Sequence, residues 1–319
     1  MNVPQRRPFV PPALAILFGI LAVSTGSIFV RYAQVYAPSL VIAAYRLVLA
    51  TLILAPLAFL RYRAEIRRLQ GSKIALASLS GFFLALHFAT WITSLEYTTV
   101  ASSVVLVSTA PMWVALLSPL TIKEPLTRLI LFGMGLALLG SIIIGLSDTC
   151  SWGDMRLVCP SLKEFIRGRA FVGDFLALVG AWMAAGYLLI GRRLRAGMSL
   201  VPYVFVVYGA AALVLVAIML AAGQTPWGYP PLATVWFLLL ALVPQLLGHS
   251  TFNWALGYLS AAFVSITLLG EPIGSTILAY LLLQEAPTGL KIFGAILILA
   301  GIYVASQSGA NPPTMELSD

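Results

Sequence analysis

Two stretches of the chain repeat one another without a gap. They read YTTVASSVVLVSTAPMWVALLSPLTIKEPLT from Tyr97 and YLSAAFVSITLLGEPIGSTILAYLLLQEAPT from Tyr258. The offset is 161 residues, and the alignment of 97–145 with 258–306 holds 13 identities in 49 positions. The shared residues include Pro111 with Pro272, Glu124 with Glu285, Thr127 with Thr288, Gly133 with Gly294 and Gly140 with Gly301. Apolar composition alone does not place Pro, Glu and Gly in register, so the chain is predicted to consist of two related halves.

The composition around these repeats is that of a membrane protein. Of 319 residues, 60% are hydrophobic and 9% charged, against about 45–50% and about 25% in a soluble domain. Apolar segments of about 18 residues or more, enough to cross a bilayer as a helix, begin near Pro12, Ser39, Ile74, Ala101, Thr127, Phe171, Leu200, Leu232, Leu259 and Thr288. We predict an all-α integral membrane protein with ten transmembrane helices.

Each half then contains five spans, and an odd number places the second copy in the bilayer upside down. Two inverted five-helix repeats related by a pseudo-two-fold axis are typical of transporters, because the halves can exchange conformations around a central site. The predicted boundaries are 1–145 for the first repeat, 146–170 for an outer connecting loop, 171–306 for the second repeat and 307–319 for a cytoplasmic tail.

The basic residues indicate the orientation. The first apolar segment follows Arg6 and Arg7 and has no signal-peptide cleavage pattern, so it is interpreted as a retained helix. With the N-terminus inside, 12 of the 19 Lys and Arg residues fall in cytoplasmic connections and six in outer ones. This bias predicts that both termini are cytoplasmic. It also accounts for the net charge of +8 without nucleic-acid binding.

The chain has two cysteines, Cys150 and Cys159, and both lie in the predicted outer loop. In an oxidising compartment such a pair favours a disulfide that ties down the loop. Two unpaired thiols are the alternative.

Several stretches resemble the drug/metabolite transporter superfamily, in its EamA-type ten-helix form. They are STGSIFVRYA in the first span, AAYRLVLATLIL in the second, APMWVALLSPLTIKEPLT in the fourth and GDFLALVGAWMAAGYLLIGRRL in the sixth. From the ninth span onward, GEPIGSTILAYLLLQEAPTGLKIFGAILILAGI resembles the amino-acid exporters of that superfamily, including the aromatic branch. The resemblance covers nearly the whole chain and implies an exporter of the bacterial inner membrane.

Glu271 is the one acidic residue predicted near the centre of a span, where a charge costs several kcal/mol. Thr267, Glu271 and Ser275 recur every four residues beside Gly274, which predicts a polar helix face lining a pore. Glu271 could bind a cationic or zwitterionic substrate, or bind and release a proton. The structural alternative is a hydrogen bond to carbonyls freed by Pro272.

Both histidines also fall inside spans. His87 shares a helical face with Trp91, and His249 shares one with Gln245 and Asn253. These faces are predicted to converge on a cavity, although a buried histidine can equally be a hydrogen-bonded residue of the core.

Three tryptophans, Trp91, Trp113 and Trp182, lie within spans rather than at their ends. They are predicted to line the cavity or to pack the bundle. Pro111 and Pro272, at equivalent positions of the repeat, are the predicted hinges.

Two further sets of charged residues are interpreted as structural. Arg46, inside the second span, is expected to extend toward the interface or to bind carbonyls at a helix end, with binding of a substrate carboxylate as the alternative. Glu124 and Glu285 precede the predicted helix N-caps Thr127 and Thr288, and are expected to stabilise the following helix N-termini.

The leading hypothesis is a secondary-active or facilitative exporter of small amphipathic metabolites, with amino acids, including aromatic ones, as the expected substrates. A nucleotide-sugar or drug carrier of the same architecture is the alternative. An enzyme is disfavoured because neither an H-E-x-x-H nor a P-loop pattern is present. No cofactor and no metal are expected; the expected partners are the small-molecule substrate and the lipid bilayer, and a monomer is the working assembly.

Overall fold

The computed structural model describes residues 10–98, 100–149, 151–153, 156–158, 169–283 and 289–307. The predicted Cys150–Cys159 disulfide lies outside these residues, as do Glu285 and Thr288. The disulfide therefore stays a prediction.

The described chain is almost entirely helical. The first half contains α1 (Pro12–Ser24), α2 (Gly26–Gln34), α3 (Ser39–Arg61), α4 (Arg63–Arg67), α5 (Gly71–Ser94), α6 (Val100–Val107), α7 (Ala110–Thr121) and α8 (Arg128–Thr149). The second half contains α9 (Arg169–Arg195), α10 (Leu200–Ala221), α11 (Pro231–Leu240), a π-helix (Ala241–His249), α12 (Ser250–Ala255), α13 (Ala261–Thr267), a 3-10 turn (Leu268–Gly270), α14 (Glu271–Leu283) and α15 (Gly289–Ser306). Between the halves, the short strands β1 (Ser151–Gly153) and β2 (Arg156–Val158) form an antiparallel hairpin.

Within the described residues, seven helical stretches are long and apolar enough to cross a membrane, and some of them consist of two or three consecutive helices. They are Pro12–Gln34, Ser39–Arg61, Gly71–Ser94, Phe171–Arg195, Leu200–Ala221, Pro231–Ala255 and Ala261–Leu282. Three further apolar helices, Ala110–Thr121, Arg128–Gly140 and Ile292–Ala305, are shorter over their described residues. The ten predicted segments coincide in order with these ten helices, and the full count of ten spans remains a prediction for the three shorter ones.

The last helices of the two halves, α8 and α15, pack directly on each other. A Cβ atom added to Gly133 would lie 2.5 Å from the Gly301 carbonyl oxygen, and one added to Gly140 would lie 2.4 Å from that of Gly294. Since Gly133 is the equivalent of Gly294 and Gly140 that of Gly301, the two helices run antiparallel. The glycines thus allow close packing of the two helices, and the antiparallel direction agrees with the predicted inversion between the halves.

One internal contact occurs at equivalent positions of the two halves, between a side-chain donor and a backbone carbonyl. The Gln34 side chain donates from Nε2 to the Ile92 carbonyl at 3.1 Å. At the positions 161 residues later, Arg195 donates from Nε to the Asn253 carbonyl at 2.9 Å. Each half therefore ties the end of its first span to the end of its third in the same way.

Both halves interrupt one helix at the same point. The helix of the fourth span breaks between α6 and α7, and the helix of the ninth breaks at the 3-10 turn between α13 and α14. Pro111 is the second residue of α7, and Pro272 is the second residue of α14. Proline has no backbone N–H and is tolerated in the first turn of a helix, so it favours a new helix starting there. Paired interruptions of this kind mark the binding site in many transporters with inverted repeats.

Candidate substrate-binding cavity

The two helix interruptions meet at a cavity between the halves of the chain. Its walls come from both halves of the chain. The lining residues are Val23, Gly26, Arg46, His87, Phe88, Trp91, Val107, Ser108, Ala110, Pro111, Ala184, Tyr187, Leu188, His249, Phe252, Leu268, Leu269 and Glu271. Most of these side chains are apolar or aromatic, and two carry opposite charges.

Glu271 reaches this cavity because it is the first residue of α14, directly after the 3-10 turn. Its backbone carbonyl accepts a hydrogen bond from the Ser24 hydroxyl at 3.3 Å, which fixes α14 against α1. Within the described part of the chain, its carboxyl group has no hydrogen-bond or ion-pair partner. An acid at a helix N-terminus is stabilised by the positive end of the helix dipole. The geometry therefore presents the Glu271 carboxyl group to a ligand.

Arg46 supplies the opposite charge, and here the interpretation favoured by the sequence is wrong. The side chain does not extend to the interface; it is 1% exposed and lines the cavity. Its Nε donates to Gln245 Oε1 at 2.8 Å, and its guanidinium carbon lies 4.0 Å from the centre of the Phe88 ring. Among the described residues, Arg46 Nη1 has no hydrogen-bond partner. A buried cation with an unsatisfied donor is costly unless an anionic or polar ligand completes it.

The two histidines come together around one phenylalanine. His249 contacts the edge of Phe88 with ring centres 5.2 Å apart, and His87 lies parallel to Trp91 at 6.1 Å. His87 Nδ1 lies 2.9 Å from the Gly180 carbonyl oxygen. Because a carbonyl oxygen only accepts, His87 Nδ1 carries the hydrogen, and a neutral ring keeps Nε2 as an acceptor. His87 is thus both a hydrogen-bonded core residue and part of the cavity wall.

The predicted face shared by Gln245, His249 and Asn253 does not form. Residues 241–249 are a π-helix, in which hydrogen bonds join residues five apart, so residues four apart no longer superpose. His249 lines the cavity, whereas Gln245 is buried behind it and holds Arg46. Asn253 donates to the hydroxyl of Tyr187 at 2.5 Å and so positions a cavity residue that the sequence reading missed.

The three interior tryptophans separate into two groups. Trp91 lines the cavity beside His87. Trp113 and Trp182 instead contact each other edge to face, with ring centres 5.5 Å apart and planes at 83°. Neither lines the cavity, so their contact packs α7 against α9.

The residues of the predicted polar face of the ninth span also have different surroundings. The Thr267 hydroxyl donates to the Val264 carbonyl at 2.7 Å, within its own helix. Ser275 donates to the Ser24 carbonyl at 3.1 Å, and a Cβ atom on Gly274 would lie 2.1 Å from the Ser24 hydroxyl oxygen. These small residues bring α14 close to α1, and Glu271 is the member of the set that reaches the cavity.

Glu124 has a structural contact, but it does not support the helix that follows it. Its carboxylate pairs with Arg192 and accepts a hydrogen bond from the backbone N–H of Ala261, at the start of α13. The N-cap predicted at Thr127 is confirmed, since its hydroxyl accepts from the Ile130 N–H at 3.2 Å.

No group of three His, Cys, Asp or Glu side chains suited to a metal ion occurs in the described part of the chain.

Comparison with known proteins matches the EamA-like transporter family twice, over residues 11–146 and 171–307. A solved crystal structure superposes with a TM-score of 0.73 at 15% identity, covering 94% of this chain and 99% of that one, which shows a shared fold. An uncharacterized transporter of Archaeoglobus fulgidus is 22% identical over 269 residues, covering 83% of this chain and 86% of the relative. The pseudopaline exporter CntI of Pseudomonas aeruginosa is 24% identical over 297 residues, covering 92% of this chain and 96% of the exporter. The chain therefore belongs to the EamA-like transporter family of the drug/metabolite transporter superfamily, and it is a multi-pass membrane transporter of small molecules.

Proposed function

We propose that the protein exports small zwitterionic metabolites, amino acids with an apolar or aromatic side chain, by alternating access across the bacterial inner membrane. The observation that carries the proposal is the presence of Arg46 and Glu271 in the wall of one cavity. A free amino acid carries a carboxylate and an ammonium group a few bonds apart. The Arg46 Nη1 group suits the carboxylate, and the Glu271 carboxylate suits the ammonium group.

The remaining wall supports a substrate with an apolar portion. Phe88, Trp91, Phe252 and Leu269 surround the two charges with aromatic and aliphatic surface. Contact with an aromatic ring contributes about 0.5–1.5 kcal/mol beyond the area it buries. A zwitterion with a large apolar side chain would therefore pair with both charges and contact the aromatic and aliphatic surface around them.

The same pair of charges argues against the alternative of a nucleotide-sugar carrier. A diphosphate would meet Arg46, but it would also meet the Glu271 carboxylate in the same cavity. A neutral drug would leave both charges unsatisfied. The name of the relative CntI, an exporter, supports outward transport by this chain, whether driven by an ion or facilitative.

Counterflow in liposomes tests the proposal. Purified protein is reconstituted with an excess of unlabelled phenylalanine inside, and uptake of labelled phenylalanine is measured. Unlabelled phenethylamine, which lacks the carboxylate, and phenylpropionate, which lacks the ammonium group, should each drive little uptake when loaded in its place. Arg46→Lys should reduce phenylalanine exchange at least about tenfold, because a compact ammonium group cannot reproduce the planar guanidinium contacts.

Two results would overturn the assignment. The first is exchange of phenethylamine or phenylpropionate as fast as that of phenylalanine. This would show that transport does not require both the carboxylate and the ammonium group of the substrate. The second is exchange of a nucleotide sugar with no exchange of any amino acid.

A further inference from the structure

A buried ion pair joins the two halves of the transporter at one end of the cavity. Arg192 Nε and Glu124 Oε1 are 2.5 Å apart, and their side chains are 9% and 6% exposed. The second carboxylate oxygen of Glu124 accepts from the Ala261 N–H at 3.1 Å, and Arg192 Nη1 donates to the Leu256 carbonyl at 3.0 Å. The contact thus links the α7–α8 connection of the first half to α9 and the α12–α13 connection of the second.

The face of the molecule that contains this contact is called here the Arg192 face, and helices pack together there beside the cavity. Helix α7 packs against α13 on this side of the two interruptions. Leu256, Ala261 and Ala262 are buried there. The cavity wall is formed by the neighbouring ends of the same helices, at Pro111 and Leu268. The contact of α7 with α13 therefore lies between the cavity and the Arg192 face.

The repeat identifies the equivalent positions at the opposite face, called here the Arg31 face. Arg31 lies 161 residues before Arg192, and Leu95 lies 161 residues before Leu256. Arg31 is exposed and makes no hydrogen bond or ion pair with any described residue. The contact within each half, Gln34 with Ile92 and Arg195 with Asn253, is present in both copies. Glu285, the position equivalent to Glu124, lies outside the described residues, so the contact between the halves is described at the Arg192 face.

We propose that Glu124 and Arg192 form a latch that closes the cavity toward the Arg192 face, and that this latch breaks each time that face opens in the transport cycle. The inference rests on the alternating-access part of the proposed function and not on the identity of the substrate. Removing one partner of a buried pair leaves a buried charge without compensation. In an open state both groups regain water, so loss of the latch favours opening on the Arg192 face.

Accessibility of the cavity from each face tests the latch. The full chain carries Cys150→Ser and Cys159→Ser, with Ser108→Cys as a reporter in the cavity wall. A membrane-impermeant thiol reagent is applied to each side of sealed membrane vesicles. Reporters at the exposed positions Ala196 and Trp227, before and after α10, establish which side corresponds to which face.

With the latch intact, Ser108→Cys should label only weakly from the Arg192 face. Adding Glu124→Gln should raise labelling from the Arg192 face by about fivefold or more, the lower range of typical conformational couplings. Arg31→Gln is the matched control, since it removes a charge at the position equivalent to Arg192 on the opposite face, and it should leave labelling from the Arg192 face unchanged.

Equal labelling from the Arg192 face with Glu124 and with Glu124→Gln would overturn the latch, and so would an equal rise in the Arg31→Gln control. Thermal unfolding of each variant identifies a damaged fold. If Glu124→Gln is unstable, Glu124→Asp and Arg192→Lys, which keep the charges but shorten or alter the contact, must show the same shift in labelling. Because the readout needs no substrate, a positive result stands even if amino acids are not exchanged.

Discussion

At the scale of single residues, the cavity holds two charges that the described residues leave incomplete. Arg46 is buried and uses Gln245 and Phe88 as neutral partners, and the Glu271 carboxyl group has no partner among the described side chains. A charge inside the membrane normally faces the protein interior or water and marks a functional site. A ligand that pairs with both groups lowers their cost, so under the proposed function binding is expected to be selective for zwitterions.

Glu271→Gln should insert and fold but lose most exchange, by about tenfold or more, since the amide keeps the size of the side chain and removes its charge. Counterflow and net export against a gradient are measured on the same preparation. Loss of net export with normal counterflow would assign Glu271 to proton coupling. Near-normal activity in both assays would show that Glu271 is a structural residue.

Ser275→Ala is the control for that experiment, because Ser275 lies one turn further along α14 and contacts Ser24 instead of the cavity. It should lower the thermal stability slightly and leave the apparent affinity unchanged. An equal loss of exchange in both variants would trace the effect to the packing of α14 on α1.

The tryptophans provide a second comparison at this scale. Trp91→Leu should weaken the apparent affinity for aromatic amino acids more than for small aliphatic ones, because Trp91 lies in the cavity wall. Trp182→Leu should lower the melting temperature and affect both substrate classes alike, because Trp182 packs against Trp113. Competition of labelled exchange by both classes of amino acid measures the difference. The same selectivity change in both variants would contradict this division.

At the scale of elements, the close contact of α8 with α15 depends on two equivalent pairs of glycines. Gly133→Ala should destabilise the protein by about 1–3 kcal/mol, the usual cost of overpacking, because its Cβ atom would meet the Gly301 carbonyl oxygen at 2.5 Å. Gly135→Ala is the matched control, two residues further on, where no atom lies within 4 Å of the added Cβ. It should be neutral or stabilising, since alanine favours the helix. Thermal unfolding in detergent compares the two, and equal stability would show that the helices adjust.

Helix geometry also explains one error of the sequence reading. Spacing rules assume a regular α-helix, and they placed Gln245 on the face of His249. The π-helix over Ala241–His249, which contains Pro244, changes that phase. Because of this change, Gln245 accepts a hydrogen bond from Arg46 instead of lining the cavity.

At the scale of the whole molecule, the inverted repeat accounts for the cavity between the halves and for the paired helix interruptions. Equivalent contacts are kept within the halves, and a buried ion pair joins the halves at the Arg192 face. An ion pair between two repeats that exchange conformations is expected to break when that face opens. With the predicted cytoplasmic termini, the latched Arg192 face is the cytoplasmic one.

Several features of this protein follow from its sequence alone. Apolar length predicts the membrane helices, the 161-residue repeat predicts two inverted halves, and the paired prolines predict hinges at equivalent positions. Each of these depends on composition or on spacing along the chain, and none depends on which helices pack together. The predicted importance of Glu271 has the same origin, since a lone acid in an apolar run is costly wherever the helix faces.

The tertiary structure decided which of the buried polar and aromatic residues meet. Arg46 reaches the cavity because Gln245, about 200 positions later, holds its guanidinium group, and Glu124 pairs with Arg192 across the two halves. The rotation of α14 placed Glu271 in the cavity and Ser275 against α1. These outcomes depend on the rotation and neighbours of each helix, which are set by packing between segments distant in the chain. Spacing along one segment carries no information about that packing.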